Sequence, residues 1–156
     1  MERELEHVLV VEADPPVREL LTDVLCDEGY EVMTAYDGEH ARDLVASRSF
    51  DVVAIDLDMP DVSVAGLLRE TQSSEPEPGV VALSSAQPSS RRASRAHVVL
   101  VKPFDVNELV EAVRRVLLSR RAPERRTSAV GRRSGRGRAY GAPERPVLRV
   151  SLGNGS

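Results

Sequence analysis

The apolar positions of this chain fall into five short runs separated by stretches with helical spacing. His7 to Val11 is rich in valine and ends in Glu12-Ala13-Asp14-Pro15-Pro16, a pattern that predicts a buried strand stopped by prolines. Pro16 suits a first helical position. Val17, Leu20, Leu21, Val24 and Leu25 then follow at i, i+3, i+4, i+7 and i+8, an amphipathic stripe that ends at Gly29, where a glycine cap is expected. Tyr30 to Ala35 reads as a second strand, Asp37-Gly38 as a turn, and Glu39 to Ser47 as a helix with Ala41, Leu44 and Val45 inward.

The alternation repeats. Phe50 to Ile55 is apolar throughout and runs into Asp56-Leu57-Asp58-Met59-Pro60, and Val64 to Gln72 has the pattern of a short helix before Pro76 and Pro78. Gly79 to Leu83 and Val98 to Val101 are further strands, ending in Ser84-Ser85 and Lys102-Pro103. Between them Ser89 to Ala96 carries few apolar residues and a weak helical signal. Asp105 and Glu108 have capping-box spacing ahead of a helix whose apolar face is Val106, Leu109, Val110, Val113, Val116 and Leu117, ending near Leu118. Five strands thus alternate with five helical segments. The strands are apolar on both sides, as a parallel sheet covered on both faces requires. The expectation is an α/β fold with a doubly wound parallel sheet.

A length of 156 residues allows one core of ordinary size. The net charge of −4 conceals a division. Residues 1–118 hold 11 Lys+Arg against 23 Asp+Glu, or −12, while residues 119–156 hold 10 Arg against 2 Glu, or +8. The expected organisation is therefore one domain over 1–118 and a disordered, arginine-rich basic tail over 119–156, in which only Val147 to Leu152 has a strand-like pattern. Twenty of the 21 basic residues are arginine, so the one lysine, Lys102, stands out. Cys26 lies in the apolar stripe and reads as a small buried hydrophobe, and one cysteine cannot make an internal disulfide. No apolar run reaches the roughly 18 residues of a membrane span, and the start lacks the layout of a signal peptide, so a cytoplasmic protein without membrane contact is expected.

In open parallel sheets ligands sit beyond the carboxyl ends of the strands, where strand order reverses. Polar residues accumulate there: Glu12 and Asp14 after the first strand, Asp56 and Asp58 after the third, Ser84 and Ser85 after the fourth, Lys102 after the fifth. Clustered carboxylates bind Mg²⁺, a lysine adds positive charge, and a hydroxyl bonds a phosphoryl oxygen. This set suits phosphoryl transfer onto a carboxylate, with Asp56 as nucleophile.

These motifs resemble the receiver domain of bacterial two-component response regulators. The resemblance rests on Val8-Leu9-Val10-Val11-Glu12, Gly29-Tyr30-Glu31-Val32, Ala35-Tyr36-Asp37-Gly38, Asp51 to Pro60, Leu83-Ser84-Ser85 and Val101 to Asp105, in family order over about residues 5–118. It implies a flavodoxin-like sheet of strand order 2-1-3-4-5 and a phosphorelay switch rather than an enzyme with a separate substrate. It implies Asp56 as the phosphorylated residue, with Ser84 and Lys102 contacting the phosphoryl group. Glu12, Asp56 and the backbone carbonyl of Asp58 would ligate Mg²⁺, and the Lys102-Pro103 bond would be cis. The implied partners are a histidine kinase or phosphotransfer protein and an output protein that the sequence does not name.

This chain also departs from the family pattern. The second member of the acidic pair is Ala13, with Asp14 one position further on. The loop after Met59-Pro60 reads Asp61-Val62-Ser63-Val64-Ala65-Gly66, with its glycine displaced by one. The stretch from Ser84 to Lys102 is short, and Val99 stands where an aromatic residue is common. A phosphorylation-independent interaction module is therefore a second reading. A third takes Asp56-Leu57-Asp58 as the motif of a haloacid-dehalogenase-like phosphatase, although that family places it on the first core strand of a longer chain. The basic tail offers a weak contact for nucleic acid or another polyanion through counterion release, with Tyr140 as its lone aromatic. It equally allows a fold-back onto the acidic domain, or no dedicated partner.

Overall fold

The computed structural model describes residues 4–59, 63–85 and 95–121. Five parallel strands form one sheet: β1 (His7–Val11), β2 (Glu31–Ala35), β3 (Val52–Asp56), β4 (Gly79–Ser84) and β5 (Val98–Val101). Their spatial order is β2-β1-β3-β4-β5, as the resemblance implies. Among the described residues four helices accompany them: α1 (Pro15–Asp27), α2 (Gly38–Ser47), α3 (Ser63–Ser73) and α4 (Val106–Arg121).

The uniformly apolar strands follow from two separate cores. Side chains alternate across a strand. Leu9, Val11, Val53, Ile55, Val80 and Ala82 therefore pack with α2 and α3 on one face. Val8, Val10, Val52, Val81, Leu83 and Leu100 pack with α1 and α4 on the other. Along Val8–Val11, Val52–Ile55 and Val80–Leu83 neither face meets water, whereas the edge strand β2 is half-buried and carries Thr34.

Local chemistry sets the helix ends. Pro15, one residue earlier than expected, opens α1. The helix closes in a Schellman motif, with the Gly29 N–H bonded to the Cys26 carbonyl (2.9 Å) and the Tyr30 N–H to that of Leu25 (3.3 Å). Gly29 takes φ +91°, a conformation costly for a residue with a Cβ. Asp37 caps α2 by accepting from the His40 N–H at 2.7 Å, where the sequence pattern suggested only a turn. At α4 the Asp105 carboxylate accepts from the Asn107 N–H at 2.7 Å, while the Glu108 Oε2 is buried with no hydrogen-bond partner among the described residues, so that oxygen makes no reciprocal half of the expected capping box.

Some expectations are corrected. Cys26 is exposed, and so is Leu20, at 52 %. Leu21 and Leu25 are the buried residues of α1. The helix thus rests on a narrower stripe than its spacing suggested, because it lies over few strands and buries only its lowest row. α4 continues to Arg121, past the expected end near Leu118. The weak helical signal over Ser89–Ala96 falls almost wholly outside the described residues, as do Pro60, Asp61, Val62 and the tail from 122 onward.

Candidate functional site

The sheet register brings the candidate residues to one edge. Val11 pairs with Ile55, so the next step places Glu12 beside Asp56 at the carboxyl ends of adjacent strands. These two strands flank the switch point, since α1 carries the chain from β1 outward to β2 and α2 returns it across to β3. Asp56, the last residue of β3, pairs with Leu83, and Ser84 with Val101, which sets Ser84 and Lys102 alongside. Glu12, Asp56 and Ser84 are all buried.

Lys102 Nζ stands at the centre. It donates to Asp56 Oδ1 at 2.9 Å and lies 3.3 Å from Asp58 Oδ2. Asp56 Oδ1 also accepts from the Asp58 N–H at 2.9 Å, which fixes the start of the loop after β3. The Lys102-Pro103 bond is cis, as the resemblance implies. Burial acts to lower the proton affinity of Lys102. The Asp56 hydrogen bond and charge outweigh it, helped by Glu12 and Asp58, and hold the ammonium above its usual range.

Asp58 plays a larger part than its expected backbone role. Its carboxylate accepts the Ser85 N–H at 3.1 Å and 3.0 Å, tying the loop after β3 to the end of β4. Burial pushes its carboxyl up, but the Ser85 bonds and Lys102 bring it below the ordinary carboxylate value.

Glu12 is held differently. Its Oε1 accepts from the Asp14 N–H at 3.2 Å, while its Oε2 is buried without a hydrogen-bond partner among the described residues. Burial pushes the carboxyl up to about 7. The Asp14 N–H works against this, the neighbouring Asp56 carboxylate adds to it, and Lys102 offsets part. Ala13 and Asp14 are both exposed, so Asp14 does not bury its carboxylate here in place of the missing acid. The Arg18 guanidinium, which sequence reasoning passed over, donates to the carbonyls of Glu12 (2.9 Å) and Ala13 (3.4 Å) and braces the loop. Its only signal in the chain is its place on the first turns of α1.

Among the described residues no group of three or more His, Cys, Asp or Glu is gathered for a metal ion. The donors present still suit Mg²⁺, which is held by one or two carboxylates and keeps several waters. The Asp56 carboxylate raises the cost of ionising the adjacent Glu12, and a buried Glu12 oxygen lacks a partner among the described residues. A hard divalent cation is the charge that such a pair accepts.

Comparisons with known proteins agree with this geometry. The family model described as the response regulator receiver domain matches residues 8–114. Response regulator ArlR of Staphylococcus aureus (strain Mu50 / ATCC 700699) is 27 % identical over 124 residues, 78 % of this chain and 56 % of that protein. The chain thus spans about half the length of the curated relatives it matches. Among solved structures, response regulator TrrA from Thermotoga maritima in complex with Mg²⁺-BeF is 31 % identical with a TM-score of 0.65, over 72 % of this chain and 100 % of that one. Chemotaxis response regulator CheY4 of Vibrio cholerae is 28 % identical with a TM-score of 0.66, over 73 % of this chain and 100 % of that one.

Proposed function

This chain belongs to the response regulator receiver-domain family, and from that premise we propose that it works as an aspartyl-phosphate switch, with Asp56 accepting a phosphoryl group from a histidine kinase or phosphotransfer protein. The observation that carries the reading is the 2.9 Å contact between Lys102 Nζ and Asp56 Oδ1 at the buried end of β3.

In the transfer an Asp56 carboxylate oxygen forms a bond to phosphorus as the P–N bond of a phosphohistidine breaks, and the electron pair returns to the imidazole nitrogen. The transition state is loose, so positioning and charge supply most of the catalysis. Lys102 stands where it neutralises the phosphoryl oxygens, and the Ser84 hydroxyl at the end of β4 donates to one of them. Glu12, Asp56 and the Asp58 carbonyl would hold Mg²⁺, which supplies further positive charge against those oxygens. The new phosphoryl oxygens compete with Asp58 for Lys102, which frees the Asp58 carboxylate that accepts the Ser85 N–H to rearrange. With Val99 buried in β5 in place of an aromatic, the signal leaves through the β4 end and the loop after β3. An output protein would read that surface in the cytoplasm; no helix among the described residues is long and apolar enough to cross a membrane.

Exposed Ala13 favours the second reading, an interaction module that works without phosphorylation. The phosphatase reading has no support here, since Asp56 closes the third strand of the chain and not the first. Incubation with acetyl phosphate and Mg²⁺, followed by intact mass measurement, separates the two. The native chain is expected to gain one phosphoryl mass and Asp56→Asn none. An unmodified native chain, under conditions that label a competent receiver, would leave the interaction module standing.

A further inference from the structure

At the end of the sheet opposite Asp56, the segment entering β1, the start of β2, the loops before β3 and β4, and the last turns of α4 enclose an open groove of about 770 Å³. Glu4, Glu6, Glu31 and Asp51 line it, and Phe50 and Leu117 add apolar surface. Beside them Leu5 is 58 % exposed.

The groove already takes one guanidinium. Arg120 donates to the Asp51 carbonyl and sits 3.6 Å from Asp51 Oδ1. That carboxylate is itself held in place, since its Oδ2 accepts the His7 N–H at 2.8 Å. Arg120 lies in the final turn of α4, so the chain leaves the helix at the groove's rim. Residues 122–156 then carry eight Arg against two Glu, or +6, next to a domain that carries −12 over residues 1–118. Arg125 and Arg126 are five and six residues beyond Arg120, and a chain of that length reaches about 15–20 Å, enough to turn back onto the groove.

We propose that this acidic groove is the docking site of the chain's own arginine-rich segment, residues 122–156, and that the docked segment is thereby withheld from polyanions. Single exposed ion pairs bind weakly. Tethering at the rim changes this, because it raises the effective concentration of the arginines to the millimolar range and lets several pairs act together. Arg120 on Asp51 is the first of the series. The proposal is independent of phosphorylation at Asp56.

The test uses the full chain with a nitroxide on Ser134→Cys in a Cys26→Ser background. At low salt, amide signals of residues 4–7, 31 and 49–51 are expected to broaden. The effect should vanish in about 0.5 M NaCl, where the Debye length falls to a few ångströms, and in the Glu4→Gln/Glu31→Gln variant. Mixing spin-labelled unenriched chain with unlabelled ¹⁵N chain should give no broadening, which places the contact within one molecule. Broadening around Asp56, none at the groove, or an unchanged pattern in the double variant would overturn the proposal. A single-stranded DNA oligonucleotide provides the second readout by fluorescence anisotropy. Freeing the segment should tighten its binding roughly 5-fold in the double variant, as expected when most molecules are otherwise held in the non-binding state. Equal affinity of the two proteins would contradict the competition.

Discussion

Lys102 Nζ lies 2.9 Å from Asp56 Oδ1 and joins the ends of β5 and β3, two strands separated in the sheet by β4. Asp56 is buried, whereas the Lys102 side chain is 30 % exposed, so the pair is shielded on one side and solvated on the other.

Lys102→Met removes the charge and keeps much of the length. Breaking a fully buried pair costs about 3–5 kcal/mol, and solvent access to the ammonium reduces this to about 1–2 kcal/mol. Urea unfolding at pH 7 should show that loss, while Asp56→Asn/Lys102→Met should recover most of it because no unpaired carboxylate remains at position 56. A double variant as unstable as the sum of its parts would mean the pair is not coupled. Phosphoryl uptake in Lys102→Met should fall about 100-fold, as when a charge-stabilising donor is removed.

Glu12 sets a pH dependence. Its carboxyl is raised by burial from 4.5 to about 7, so the folded chain holds a proton there that the unfolded chain releases. Its favourable contribution is complete below pH 4.5 and is lost as pH rises through about 7. Without divalent cations, native stability should decline across that window relative to Glu12→Gln. The expected difference is about 1–2 kcal/mol, less than the full linkage because solvent reaches the mouth of the site. Parallel urea midpoints for the two proteins between pH 5 and pH 8 would remove Glu12 as the cause.

Ala13 leaves the proposed Mg²⁺ site one carboxylate short of the family pattern. Ala13→Asp adds a third carboxylate beside Glu12 and Asp56, and calorimetric titration with Mg²⁺ should show binding about 10-fold tighter, or about 1.4 kcal/mol. The variant should also take up phosphoryl from acetyl phosphate faster. An unchanged Kd would mean that this loop does not face the cation.

Gly79 opens β4 under α4. A Cβ built there would lie 2.0 Å from Val116 Cγ1, so Gly79→Ala must displace the Val116 side chain, by an off-rotamer turn or a shift of α4. Overpacking of this kind costs about 1–3 kcal/mol. Gly79→Ala/Val116→Ala should be more stable than the sum of the single losses predicts, because the truncated valine makes room for the new methyl. Strict additivity in urea denaturation would point to another source of the loss.

Hydrophobic patterning was enough for the layered architecture. Strands apolar on every residue need cover on both faces, and that holds for Val8–Val11, Val52–Ile55 and Val80–Leu83 whatever their neighbours are. Glu12, Asp56, Ser84 and Lys102 were legible as one group because strand ends in a parallel sheet fall on a common edge. Their order along the chain therefore carries their order in space.

Contacts between loops required the folded chain. The Lys102 contacts with Asp56 and Asp58, the hydrogen bonds from the Ser85 N–H to the Asp58 carboxylate, and those from Arg18 to the Glu12 and Ala13 carbonyls form approaches that no local spacing encodes. The exposure of Cys26 and Leu20 likewise depends on how far α1 wraps the sheet, and the need for glycine at 79 depends on where Val116 descends. Periodicity along one element specifies which residues seek cover. Only the packing of one element against another determines which of them find it, and which charges meet.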